Sequence, residues 1–275
     1  MREKWLVLAT VCALLLPALA GAQQPPPAAP AASPPAGVEA RADRELRRMS
    51  EFLVKLPRFT LEAEETFDEI EAGEPRRQLT NVRRVAVERP ARFSADVTGD
   101  TLNRAAWYDG TTLAILDKEH NTYAAVEAPS TIDATLDMLE DSYGVVLPLA
   151  DLLYSDPYRV LAAGVTYGRY LGLHQAAGAP CHHLVFAQQT IEWQIWIDAG
   201  DNPLPRKFVI TYVLEEGEPQ YSATIRRWDL EPTFAAGLFT FVAPEGAQKV
   251  VPAVKAAARA GEPPLPAGGA EGGGR

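Results

Sequence analysis

Four residues carry the clearest chemical potential in this 275-residue chain: His174, Cys181, His182 and His183. If a hairpin loop falls at Ala176 to Ala179, His174 stands opposite Cys181, and strand alternation puts His183 on the same face. Two imidazoles and a thiol gathered in this way suit zinc or copper, while His182 points to the other face. The same residues also read as a small half-buried cysteine with polar histidines on a hairpin surface. That second reading is the expected one, with no metal and no cofactor. The sequence holds no nucleophile elbow, P-loop, zincin helix, paired Cys-x-x-Cys or EF-hand loop, so no catalytic residue is assigned and no enzymatic activity is expected.

Other side chains divide in the same way between a site and plain structure. Trp107, Trp193, Trp196 and Trp228 line either a ligand cavity or a core. The acidic run Glu62, Glu64, Glu65, Asp68 and Glu69 either docks a basic partner or guards an exposed strand edge. Arg76, Arg77, Arg83 and Arg84 either bind an anion or form a solvated edge, and the edge is expected.

The flanks say where the chain works. Arg2 and Lys4 precede an apolar run, Trp5 to Leu16, and the small-residue patterns Ala18-Leu19-Ala20 and Ala20-Gly21-Ala22 follow it. This order predicts a cleavable signal peptide over residues 1–22, export to the periplasm and release as a soluble protein that is not integral to the membrane. Cleavage takes the formal charge from −10 to −11, because Arg2, Glu3 and Lys4 leave together. Without Lys/Arg clusters, such a chain is not built for nucleic acid or anionic headgroups, and its partners are expected to be apolar, cationic or protein. Cys181 alone survives cleavage, so no internal disulfide forms. A Pro/Ala-rich linker is expected over residues 23–37, one domain over 38–251 and a disordered tail over 252–275.

The elements that must position these residues are mostly strands. Val38, Ala42, Leu46, Met49, Leu53 and Leu56 recur at helical spacing until Pro57, which predicts one N-terminal amphipathic helix. Strands are predicted at Phe59 to Phe67, Gln78 to Glu88, Ala91 to Val97, Asn103 to Tyr108, Thr112 to Asp117 and Thr122 to Val126. A helical insertion follows between Pro129 and Gly164, with Ser130 and Asp133 as a capping box, Gly144 as a stop, and restarts at Pro148 and at Asp156-Pro157. The sheet resumes with Val165 to His174, Cys181 to Gln188, Ile191 to Asp198, Pro205 to Glu215 and Gln220 to Leu230. Turns this short make neighbours antiparallel. Gly164, Gly168 and Gly172 are four apart, which on one strand places all three on one face and permits curvature or a close covering element. The fold class is therefore α+β: a curved antiparallel half-barrel covered by the helix and the insertion.

Strand alternation nominates the wall of an apolar cavity. The candidates are Phe93, Trp107, Leu113, Ile115, Tyr123, Trp193, Ile195, Phe208, Ile210 and Tyr212, under a lid carrying Ile132, Leu136, Leu139, Leu152 and Leu153. A filled core is the alternative.

Several stretches carry a resemblance: Trp107-Tyr108-Asp109-Gly110, Pro148-Leu149-Ala150-Asp151-Leu152-Leu153, Cys181-His182-His183-Leu184, Trp193-Gln194-Ile195-Trp196-Ile197, Pro203-Leu204-Pro205-Arg206-Lys207, Pro219-Gln220-Tyr221, Phe239-Thr240-Phe241 and Pro244-Glu245-Gly246-Ala247. Through them the chain resembles the predicted periplasmic protein family known as domain of unknown function 2092. Its element order resembles the lipoprotein carrier (LolA/LolB-like) fold. The resemblance implies a fold more than an activity, and carriers of this fold hold lipoprotein acyl chains in an apolar cavity. The expected function is a non-catalytic carrier of a lipid, acyl chain or acylated protein, and the expected state is a monomer. The competing expectations are a structural or sensory envelope module with a filled core and, behind both, a metal-dependent enzyme.

Overall fold

The computed structural model describes residues 35–71, 73–145 and 147–253. The expected signal peptide and nearly all of the linker and tail lie outside the described residues. Helix α1 (Ala40–Leu53) is followed by β1 (Arg58–Glu69), β2 (Arg77–Glu88), β3 (Arg92–Gly99), β4 (Asn103–Tyr108), β5 (Thr112–Asp117) and β6 (Thr122–Glu127). The insertion comprises α2 (Ile132–Tyr143), a 3-10 turn (Ala150–Leu152) and α3 (Pro157–Leu161). Strands β7 (Tyr167–Ala176), β8 (Ala179–Ala187), β9 (Ile191–Asp198), β10 (Pro205–Tyr212), β11 (Gln220–Asp229) and β12 (Gln248–Lys249) follow within the described residues.

The twelve strands of the described residues form one open, curved sheet in the order β12-β6-β5-β4-β3-β2-β1-β11-β10-β9-β8-β7. Ten of the eleven pairings are antiparallel; β12 pairs β6 in parallel and has no counterpart in the sequence reading. Strand β1 pairs both β2 and β11, which places the acidic run in the middle of the sheet and not on an exposed edge. Strand β10 ends at Tyr212 and not at Glu215, because a turn with Glu218 at φ +48° begins there.

Helix α1 buries Ala42, Leu46, Met49 and Leu53, the stripe that its spacing predicts. Thr131 and not Ser130 caps α2, its hydroxyl accepting from the Ala134 amide at 3.2 Å. Asp133 is not half of a capping box; it accepts from Ser155 instead. Gly144 closes α2 in the left-handed conformation, and Asp156 caps α3 with Pro157 at its start.

The glycine row does not share a face. Gly164 precedes β7, and the register shifts between Tyr170 and Gly172, so an extra residue breaks the alternation that the spacing assumes. Gly168 alone serves close approach. A Cβ there would stand 2.7 Å from the Phe186 ring and 2.9 Å from Val38, whose segment bridges Gly168.

Candidate functional site

The ladder registers divide the sheet into two faces. On the concave face one row runs Phe59, Val87, Phe93, Tyr108, Leu113 and Val126 across β1 to β6. Another runs Phe186, Trp193, Ile210 and Tyr221 across β8 to β11. These rows exist because each strand alternates apolar with polar residues and each hairpin is short enough to hold its register.

Of the residues nominated from sequence, Phe93, Leu113, Trp193, Ile195 and Phe208 belong to one buried apolar cluster, and Ile115 and Ile210 pack against it half-buried. The lid residues Ile132, Leu136, Leu139, Leu152 and Leu153 join it, none more than 5% exposed. Trp107 and Tyr123 do not. Trp107 pairs Ser94 and Ala114, Tyr123 pairs Leu116, and both point to the convex face. There Phe241 packs on them at ring distances of 5.2 and 4.9 Å. Tyr212 shares the concave register but ends β10, beyond the cover, and is 36% exposed. Alternation names the members of a face but not which face is covered, and the segment from Phe234 to Lys249 that covers Trp107 and Tyr123 has no strand-like period to announce it.

The insertion closes on the concave face like a seated lid. Arg89, just after β2, donates from Nη1 to the carbonyls of Leu153 at 2.5 Å and Tyr154 at 3.1 Å, and from Nη2 to that of Leu152 at 3.2 Å. The Ile132 amide donates to the Pro90 carbonyl at 2.9 Å, and the Tyr108 hydroxyl to that of Pro129. On α1, Asp43 accepts from the Tyr158 hydroxyl and Ser50 Oγ accepts from the Tyr158 amide at 2.9 Å. Burial first, and then Asp43, raises the Tyr158 phenol to about 12, so it stays a donor. Within the lid, burial and then Glu140 push the Asp151 carboxyl up to about 6.

A charged island lies in the same interior. Glu65 and Arg83, 0% and 4% exposed, form a two-pronged pair at 2.5 and 3.1 Å, and the Tyr221 hydroxyl donates to Glu65 at 3.0 Å. Arg83 is thus not part of a solvated edge.

The histidine hairpin folds as its spacing predicts, with His174 opposite Cys181 and Gly172 opposite His183. The three candidate ligands still do not converge. Cys181 is fully buried, its Sγ turned to the Ala179 carbonyl at 3.4 Å, and burial raises its thiol to about 11. His174 and His183 instead share a hydrogen bond between their Nδ1 atoms at 2.8 Å. His183 Nε2 meets Gln194 Oε1 at 2.9 Å, and its ring stacks on Trp196 at 3.9 Å. Burial lowers its pKa. Among the described residues no group of three metal-binding side chains converges. His182 faces inward, toward Glu45 on α1 at 3.8 Å.

Two grooves open away from the lid. One, of about 530 Å³, is lined by convex-face residues including Glu62, Arg84, Ala105, Trp107 and Arg227 and by Leu238. The other, of about 430 Å³, lies beside Arg92, Asp109 and Phe239. Among the described residues no helix is long and apolar enough to cross a membrane.

Solved structures similar to this chain include an uncharacterized conserved protein from Thermus thermophilus, at 12% identity and TM-score 0.47 over 77% of this chain and 99% of that one. A chain of the Pseudomonas aeruginosa MucA/MucB complex aligns at 18% identity and TM-score 0.42 over 74% of this chain, which spans only 62% of its length. A LolA superfamily protein from Nitrosomonas europaea aligns at 9% identity and TM-score 0.34, covering 73% of this chain and 97% of that one. No curated protein matches significantly. The family whose sequence profile matches, over residues 42–251, is described as predicted periplasmic protein (DUF2092), and the chain belongs to that family.

Proposed function

We propose that this protein is a non-catalytic, carrier-like binding protein of the cell envelope that takes up an acyl chain between the concave face and the helical insertion. The observation that carries the reading is the lid itself. Leu136, Leu139, Leu152 and Leu153 cover the apolar rows of the sheet, on a segment polar-bonded to the rest mainly through Arg89, Ile132, Tyr108 and Tyr158. These leucines occupy the surface that an acyl chain would occupy. Lid and cargo then compete for one surface, each methylene gained by the cargo yielding about 0.8 kcal/mol while the lid gives up a comparable amount. Binding of this kind is reversible, which suits a protein that must also release its cargo.

The test is native mass spectrometry and lipid extraction on protein purified from its own host, together with uptake of a fluorescent fatty acid. Co-purifying lipid, and faster amide exchange over residues 132–161 when the fatty acid binds, are expected. Absence of any co-purifying lipid, together with no uptake of the fatty acid, would sink the reading. A second reading, an interaction module of the envelope, is favoured by the close packing beneath the lid, where the five nominated residues are buried to within 5%.

A further inference from the structure

Arginines in this fold that are not exposed meet a carboxylate, with one exception among the described residues. Arg47 pairs with Asp43 at 2.8 Å, Arg48 with Glu45 at 3.1 Å, Arg83 with Glu65 at 2.5 Å and Arg206 with Asp198 at 2.7 Å. Arg89 has only the three neutral carbonyls of Leu152, Leu153 and Tyr154, and its buried Nε has no partner at all. Its guanidinium carbon stands 5.7 Å from the centroid of the Phe59 ring, at one end of the concave apolar row. The nearby carboxylate of Asp133 is taken up by the Ser155 amide and hydroxyl at 2.9 and 2.6 Å.

A half-buried guanidinium that hydrogen-bonds only neutral carbonyls, with Asp133 acting on it electrostatically but not bonded to it and its Nε unpaired, is an unusual thing to keep beside a core. Neutral carbonyls satisfy it less well than an anion does, because charge-assisted bonds are about twice as strong and a carboxylate or phosphate matches the guanidinium fork with two oxygens. The unpartnered Nε and the adjacent Nη2 form one such edge. We propose that Arg89 recognises the head of the cargo, and that this head is anionic: a carboxylate or phosphate oxygen pair on an apolar chain. The proposal rests on the carriage reading. When the insertion lifts, the three carbonyls leave with it, and the anion takes their place on Arg89 while the chain lies along Phe59, Phe93 and Leu113. Arg89 thereby favours an ionised amphiphile over a neutral one of the same length.

The experiment is titration of the full-length protein with oleate, oleyl alcohol and an oleoyl lysophosphatidic acid, each below its aggregation concentration. Oleate is expected to bind at least about tenfold more tightly than oleyl alcohol, and Arg89→Gln to bring the two within about twofold while the alcohol's affinity holds. Arg89→Lys, which keeps the charge but not the fork, falls between, and Arg92→Gln leaves the preference unchanged. Tighter binding of lysophosphatidic acid than of oleate assigns the site to a lipid phosphate, and the reverse to a free carboxylate. If the Arg89 variants do not fold, oleate labelled with carbon-13 at its carboxyl and bound to the unaltered protein gives the same answer by NMR. A carboxyl titrating below its usual range supports the pairing, and one titrating within it overturns the proposal. Alcohol and oleate binding equally well to the unaltered protein, or an unchanged preference in Arg89→Gln, overturns the role of Arg89 and leaves carriage standing. Failure of every probe to bind removes both.

Discussion

Glu65, Arg83 and Tyr221 show how far a residue's role depends on what faces it. In the sequence Glu65 is one acid among five and Arg83 one base among four. The β1–β2 register sets Ala63 opposite Arg83, and Glu65 lies on the same face two residues along β1. The pair is enclosed, with Tyr221 as a third member. Removing one partner strands the other charge away from water, so Glu65→Ala is expected to cost about 3–5 kcal/mol in urea unfolding. Tyr221→Phe, which deletes a single hydrogen bond to a charged group, should cost about 1.5–3 kcal/mol. Equal and small losses for both would show that the ion pair is hydrated. His174 and His183 teach the complementary lesson. Their shared face was legible from alternation alone, but the turn of Cys181 toward the Ala179 carbonyl was not, since side-chain rotamers within a hairpin follow local packing.

At the scale of elements, the insertion was legible in outline because helix signals are local: Gly144 and Asp156-Pro157 act within a few residues of where they stand. How the insertion packs was not, because an apolar stripe specifies a need for cover and not the depth of the space beneath it. The lid carries its own pH sensitivity. Burial, then Glu140, raises Asp151 from 3.8 to about 6, so between those values the folded protein holds a proton that the unfolded chain has lost. Stability from this residue is therefore full at low pH and declines as pH rises through that window. Asp151→Asn should raise stability above pH 6 by about 1–2 kcal/mol and change little near pH 4, as measured by unfolding at pH 4.0 and 7.5. The same gain at both pH values would assign the effect to something other than the buried charge.

For the molecule as a whole, the feature that no periodicity foretold is the C-terminal strap. Phe241 lies on Trp107 and Tyr123, and β12 adds a parallel strand at the β6 edge. Truncation after Glu231 uncovers those two aromatics and reopens the edge. Tm should fall by roughly 5–10 °C and the tryptophan emission should shift to the red; an unchanged Tm would mean that the strap only rests on the surface. By itself the sequence determined the antiparallel connectivity, most strand limits, the α1 stripe, the break for the insertion and the family, because short turns, alternation and caps are written in neighbouring residues. Only the tertiary structure decided which face is concave, that Trp107 and Tyr123 lie outside it, that Glu65 and Arg83 meet within it, and that the lid is seated on Arg89. Those outcomes follow from contacts between residues far apart in the chain, where the sign of the sheet's curvature and the reach of a covering segment choose among patterns that are equivalent along the sequence.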